Sequence, residues 1–362
     1  MFKQYKLKNY KFILIALVVI LNTIGVALVG SASPGDQKKQ IIGMVSGIII
    51  MLLVSYIDYN FILRFSWLIY LGAVGLLGLV IVAGEQSKGA QRWFKIGGFQ
   101  FQPSELVKIL MILFLAYYFM RYEEKINSPR VLFGSFVLIG IPLALILAQP
   151  NLSTTIVLAL VFAAMLFAAG LSYKIVVGVL AVCVPTFFIV LTLIIQDKFP
   201  FIHSYQLGRI MGWLYPDKYP DIAYQQQNSI MAIGSGLLWG KGLGNTDPTS
   251  VKNGKFILEP QNDFIFAVAG EEMGFVGTVT IIILLLFITI ECIFIARKAK
   301  DTAGRLICCG VGALIGGIDW ISEYRQYLCS DGITAEYRCY APVCQLWAYV
   351  AMVIIYRYRA CS

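Results

Sequence analysis

Charge is what this sequence has least of. Only 14% of its 362 residues are Asp, Glu, Lys or Arg, against 59% hydrophobic, where an average soluble domain has about a quarter charged and roughly half apolar. That balance excludes a disordered chain and argues against a water-soluble globule. Histidine is almost missing: His203 is the only one, so no histidine-based triad or histidine metal cluster can be assembled, and we read it as a surface loop residue. The 8 cysteines contain no C-x-x-C pair, which removes the zinc-ribbon and thiol-redox readings. They are also unevenly placed: Cys183 and Cys292 stand alone in the first 300 residues, and the other six fall in the last 62. No internal repeat is visible, and the glycines follow neither Walker nor Rossmann spacing. The formal charge of +9 would suggest nucleic acid on a soluble domain. Here loop lysines beside anionic lipid and at topology-setting positions account for it.

What the chain does have is apolar runs of the length that crosses a bilayer, roughly 20 residues. They are Phe12–Gly30, Ile41–Ile57, Ser66–Gly84, Glu105–Met120, Val131–Gln149, Ser153–Ser172, Ile175–Ile195 and Phe264–Ala296, with a shorter Leu306–Ile318 and a weak Ala341–Tyr356. The first run follows Lys3, Lys6, Lys8 and Lys11 and is long for a signal peptide, so it reads as an uncleaved span. The fold expected is all-α: a polytopic helical membrane protein with a large extracytoplasmic loop over 196–263. With the N-terminus inside, alternation gives the short cytoplasmic segments 13 Lys or Arg residues and the short outer loops five, Lys38, Lys39, Lys88, Arg92 and Lys95. That bias favours this orientation.

Polar residues at membrane depth need a reason. Glu105 and Lys108 open the fourth run three residues apart, hence on one helical face, where they can pair. Either they form a capped helix end with a snorkelling lysine, or they line a water-filled cavity. Pro103 and Ser104 stand where a helix would start. Gly89-Ala90-Gln91-Arg92-Trp93-Phe94 reads as an interfacial aromatic element, or as a site where Arg92 holds a phosphate by its fork. The 68-residue stretch Gln196–Asp263 is long for a loop, and such loops are usually functional or disordered. It carries Arg209, Trp213, the glycines of Gly234-Ser235-Gly236 and Gly240-Lys241-Gly242-Leu243-Gly244, then Glu259 and Asp263. Those glycines permit close backbone approach. Asp263 by itself reads as a helix-start acid.

Taken together, six segments resemble the SEDS family (shape, elongation, division and sporulation), typified by RodA and FtsW. They are Gly89-Ala90-Gln91-Arg92-Trp93; Gln102-Pro103-Ser104-Glu105-Leu106 with Lys108; Gln149-Pro150; Ala232-Ile233-Gly234-Ser235-Gly236; Gly240-Lys241-Gly242-Leu243-Gly244; and Asn262-Asp263-Phe264-Ile265-Phe266-Ala267-Val268 with Gly270-Glu271-Glu272. Their order and spacing match over about residues 10–316. The resemblance implies a ten-helix bacterial cytoplasmic-membrane protein that polymerises glycan strands from lipid II, beside a class B penicillin-binding protein. It implies catalysis by Asp263 and a charged cavity pair at Glu105 and Lys108, and it matches Glu259 to a family glutamate. Chemistry agrees with that implication. A carboxylate can take the acceptor hydroxyl proton as general base, and cations can stabilise the diphosphate leaving group. Arg92, Arg209 and Lys241 are the candidates, with a divalent cation (Mg²⁺ or Mn²⁺) as a possible addition that no motif demands.

Two departures stand out. Where the family has Gln-Pro-Asp-Leu-Gly-Thr, this chain has Gln149-Pro150-Asn151-Leu152-Ser153-Thr154, without the carboxylate. After about Gly316 the family motifs stop and composition changes abruptly through Asp319, Trp320 and Glu323 to the cysteine-rich end. A reading-frame shift near residue 317 explains that break; a divergent natural tail over 317–362 is the other account. Two functions compete with the polymerase: a lipid II flippase, and a non-catalytic scaffold of a wall-synthesis complex. The large polar segment lies on one side only, which favours chemistry over transport.

Overall fold

The computed structural model describes residues 11–54, 57–87, 90–96, 99–149, 151–195, 215, 218–248, 250–254, 256–257, 260–261 and 264–328. Its helices are α1 (Phe12–Ala32), α2 (Pro34–Val54), α3 (Tyr59–Arg64), α4 (Ser66–Ala83), α5 (Pro103–Arg121), α6 (Pro129–Ala148), α7 (Leu152–Ala168), α8 (Tyr173–Ile195), α9 (Pro220–Ser235), α10 (Ile265–Lys298) and α11 (Thr302–Leu328). Among the described residues, α1, α2, α4, α5, α6 and α10 are long and apolar enough to cross a membrane, and α7 and parts of α8 and α11 are shorter apolar helices. The first nine expected runs therefore fall on helices. The weak tenth, Ala341–Tyr356, lies outside the described residues.

Local sequence explains several boundaries. Gln102 stands at the N-cap position of α5, Pro103 occupies its first turn, Glu105 follows there, and Arg121 sits in the last turn, in the order the helix dipole favours. Asn151 caps α7, its side-chain oxygen accepting from the Thr154 N–H at 3.4 Å. An amide caps as well as a carboxylate does, so the loss of the family acid there leaves this local duty intact. One expectation is corrected. Lys38 and Lys39 lie not in a loop but in the first turns of α2, which starts at Pro34 and where Asp36 accepts from Lys39 at 2.9 Å and from Ser33 at 2.8 Å.

The centre of the bundle is α5. Two thirds of its span is buried, 67% against 22–28% for the other spanning helices. Val107, Met111, Phe114, Leu115 and Phe119 face a common core with Leu14, Met51, Leu77, Leu158, Met165, Cys292 and Ile307. In lipid no hydrophobic drive brings helices together, so small residues that permit close approach decide the packing. Gly310 of α11 is one: a methyl there would stand 2.8 Å from the Met165 sulfur and 2.9 Å from Ile112.

A three-stranded antiparallel sheet joins α4 to α5, an exception to the all-α fold that the sequence did not announce. It comprises β1 (Glu85–Ser87), β2 (Ala90–Ile96) and β3 (Phe99–Phe101) in that order. Glu85 pairs with Trp93 and Phe94 with Phe101. Trp93 is only 5% exposed, so it packs inwards and is not an interfacial belt residue.

Polar ties hold the two ends of the bundle. At one end Lys11 meets Glu291 at 3.5 Å, Tyr59 donates to Asp301 at 2.6 Å, and Thr302 donates to Glu123 at 2.7 Å. Burial, then the bond to Asp301, push the Tyr59 phenol well above its ordinary range, so it remains a neutral donor. The other end carries the sheet, the start of α5 and the polar segment before α10.

Candidate functional site

Two charged units occupy that second end. The first is the one the spacing foretold. Lys108 Nζ lies 2.8 Å from Glu105 Oε2 on the opening turns of α5, and the lysine side chain is 5% exposed against 26% for the glutamate. The buried member is the cation and the carboxylate is its route to solvent, so the pair presents negative charge outwards. Beside it the Ser104 hydroxyl is buried without a hydrogen-bond partner among the described residues.

The second unit is built on a broken helix. Within α10, Gly274 takes φ 66° and ψ −164°, a region essentially reserved for glycine. An unbroken helix would give the Phe275 and Val276 N–H groups to the carbonyls of Glu271 and Glu272. Instead they donate to the carbonyls of Leu237 at 2.8 Å and Leu238 at 3.1 Å. The freed carbonyls of Glu271 and Glu272 accept from Lys241 N–H and Gly242 N–H, each at 2.9 Å. Four backbone groups released by the kink are thus satisfied by the segment 237–242, as a kink in lipid requires. The glycines make this approach possible: a methyl on Gly240 would lie 2.2 Å from the Glu272 carbonyl oxygen.

Side chains repeat the bond. The Glu271 carboxylate, 2% exposed, accepts from Lys241 Nζ at 2.7 Å and from the Val251 N–H at 3.0 Å. Glu272, 1% exposed, accepts from Lys252 Nζ and from the Ser31 hydroxyl. Lys252 also donates to the Ser31 hydroxyl oxygen at 2.9 Å, and Gly244 N–H to the same oxygen at 3.1 Å. Three stretches of chain are joined here: the end of α1, the loop through Ser250 to Lys252, and the first half of α10. Two buried carboxylates are balanced by two lysines, the condition under which such charges are tolerated.

The residues singled out from sequence fare unequally. Glu105 and Lys108 are brought together, and Lys241 is held by Glu271. Arg92 falls on β2, with its side chain outside the described residues. Arg209, Glu259 and Asp263 lie outside them too. The next residue, Phe264, is the cap of α10. Lys252 and Ser31 went unnoticed. Adjacent acids at 271 and 272 in an apolar run demand cationic partners, and that demand was the readable signal for Lys252; nothing marks Ser31. Among the described residues no group of three or more His, Cys, Asp or Glu is placed to hold a metal ion, and the carboxylates of Glu271 and Glu272 are already occupied by lysines.

The model of the family described as cell cycle protein, that of FtsW, RodA and SpoVE, matches residues 6–321. The chain belongs to that family. A relative named probable peptidoglycan glycosyltransferase FtsW, from Geobacter sp. strain M18, is 32% identical over 327 residues, covering 86% of this chain and 85% of its own. Peptidoglycan glycosyltransferase MrdB of Escherichia coli strain K12 is 34% identical over 306 residues, covering 83% and 78%. Among solved structures, a chain of a peptidoglycan synthase complex coordinating polymerisation and crosslinking superposes with TM-score 0.77 at 23% identity, covering 97% of this chain and 98% of that one. Thermus thermophilus RodA, rod shape determining protein, does so with TM-score 0.68 at 22% identity, covering 97% of each. These two likenesses establish the family fold in this chain, a multi-pass membrane bundle.

Proposed function

We propose that this chain is a peptidoglycan glycosyltransferase that polymerises lipid II at the outer face of a bacterial cytoplasmic membrane. The observation that carries the reading is its family membership across nearly its whole length, with relatives of that name at more than 30% identity over more than four fifths of the chain. An acid immediately before a rigidly anchored helix suits the chemistry. Asp263 takes the proton from the 4-hydroxyl of the acceptor N-acetylglucosamine as that oxygen attacks C1 of the donor N-acetylmuramic acid. The bond from C1 to the diphosphate oxygen breaks, and undecaprenyl diphosphate departs with the electron pair. Arg92 and Arg209 balance the charge that develops on it. Glu271 already neutralises Lys241, so we assign Lys241 to anchoring the loop. Glu259 and the Glu105–Lys108 pair are assigned to the substrate cavity, and a class B penicillin-binding protein is the proposed transpeptidase partner.

The test is purified protein with its partner and lipid II, comparing the parent with Asp263→Ala and Asp263→Asn. With the frame restored after Gly316, the expected result is glycan strands from the parent and a loss of at least a hundredfold in both variants. Undiminished synthesis by Asp263→Ala refutes the base assignment. Monomer translocation without polymer favours the carrier reading. For the segment after Gly316 we propose a reading-frame shift, supported by the loss of family motifs there and by a family match that stops at residue 321. Resequencing the gene from independent isolates decides it: the same open frame in all of them overturns the proposal.

A further inference from the structure

We propose that the turn Leu237-Leu238-Trp239 is a membrane wedge, inserted at the outer boundary of the bilayer's hydrocarbon core, through which lipid holds the loop and the kinked helix in place. Four observations support it.

The first is exposure. Leu237 and Trp239 are each 79% exposed and Leu238 61%, three consecutive large apolar side chains turned away from the protein. The second is depth. Phe275 and Val276 donate their N–H groups to the carbonyls of Leu237 and Leu238 at 2.8 and 3.1 Å, so the turn lies beside those two residues. Counting back from Arg297 in the last turn of α10, about 20 residues at ~1.5 Å each cross the core. That count ends near Gly277, which puts Phe275, Val276 and the turn at the far interface, the level where tryptophan concentrates.

The third is continuity. Phe275 is 62% exposed and Val276 43%. They belong to the surface of a spanning helix that lipid must cover, and the turn extends that surface sideways. The fourth is the division of side chains. The polar neighbours are satisfied by the protein: Ser235 donates to the Ala232 carbonyl at 2.8 Å and Lys241 to Glu271 at 2.7 Å. Leu237 holds φ 49°, a conformation that in a water-facing turn normally selects glycine or asparagine. A leucine there gains nothing from the protein, which leaves it largely uncovered, but it gains from lipid.

The inference does not depend on the enzymatic reading. The full chain is reconstituted in nanodiscs whose phosphatidylcholine is brominated either near the headgroup or near the chain ends. Emission of Trp239 is taken as the parent signal minus that of Trp239→Phe. The expected result is that shallow bromines reduce the Trp239 contribution at least twofold more than deep ones, while iodide in the water leaves it nearly unchanged. Quenching by iodide with no effect of bromine places the turn in water and overturns the proposal. Insensitivity to both quenchers means that protein, a second copy of the chain, covers the turn, and overturns it equally. Leu238→Trp in the Trp239→Phe background shifts the reporter by one residue and must give the same shallow preference.

Discussion

At the level of single residues, the partner of each charge matters more than its presence. Lys252 and Glu272 are 6% and 1% exposed, and removing one member of such a pair strands the other in a medium that cannot solvate it. Lys252→Met is therefore expected to cost about 3–5 kcal/mol, and the double change Lys252→Met with Glu272→Gln to recover most of that. Thermal unfolding in detergent micelles, read for both singles and the double, checks it; additive losses would mean that the two side chains do not depend on each other. Lys39, 59% exposed in its pair with Asp36, provides the contrast. Lys39→Ala should leave the unfolding temperature where it was, since exposed pairs contribute little. Of these facts the sequence carried half. Glu105 and Lys108 could be paired from their spacing alone, because a helix brings residues three apart together. The bond from Lys252 to Glu272 spans 20 positions of sequence, and the one from Ser31 to Glu272 spans 241; no local periodicity encodes either.

At the level of elements, apolar run length found the helices and glycine spacing found the loop, but neither showed how the two interlock. The run Phe264–Ala296 reads as one span that Glu271 and Glu272 interrupt near its start, and a kink at Gly274 leaves its hydropathy unchanged. What betrays it is chemistry: two acids and two glycines, Gly270-Glu271-Glu272 with Gly274, within an otherwise apolar run. The sheet between α4 and α5 was hidden for another reason. Its strands are three, seven and three residues long, too short for alternation to stand out. The kink invites a direct test. Gly274→Ala forces a side chain into a φ that costs about 1–3 kcal/mol by itself, and its methyl would lie 2.3 Å from the Gly240 nitrogen and 2.7 Å from the Leu238 carbonyl oxygen. The loop must then leave the helix. Limited proteolysis should show new cleavage between Leu237 and Asn245 in the variant, whereas Gly242→Ala, where a methyl meets nothing within 4 Å, strains only its own backbone and should keep most of the protection.

At the level of the whole molecule, the two ends of the bundle differ in the charge they carry, and that difference bears on orientation. One end gathers Lys11, Arg64, Arg121, Lys125, Arg130, Lys174, Arg297, Lys298, Lys300 and Arg305, with Lys11 tied to Glu291 and Arg305 to Glu123 at 3.6 Å. At the opposite end Lys241 and the buried Lys252 are offset by Glu271 and Glu272, and Lys39 by Asp36. Lys and Arg, the residues that resist translocation, are therefore gathered at the first end, in the sense that loop counting indicates. We expect that end in the cytoplasm, with Ser31, Glu105 and the loop before α10 outside, on the side where the proposed lipid-linked substrate is presented. Fusions decide it. Alkaline phosphatase joined after Asn127 should be inactive and green fluorescent protein at the same place bright; after Asn245 the two should reverse. The opposite pattern would leave Asp263 facing the cytoplasm, and the proposed polymerisation at the outer face would lose its proposed general base.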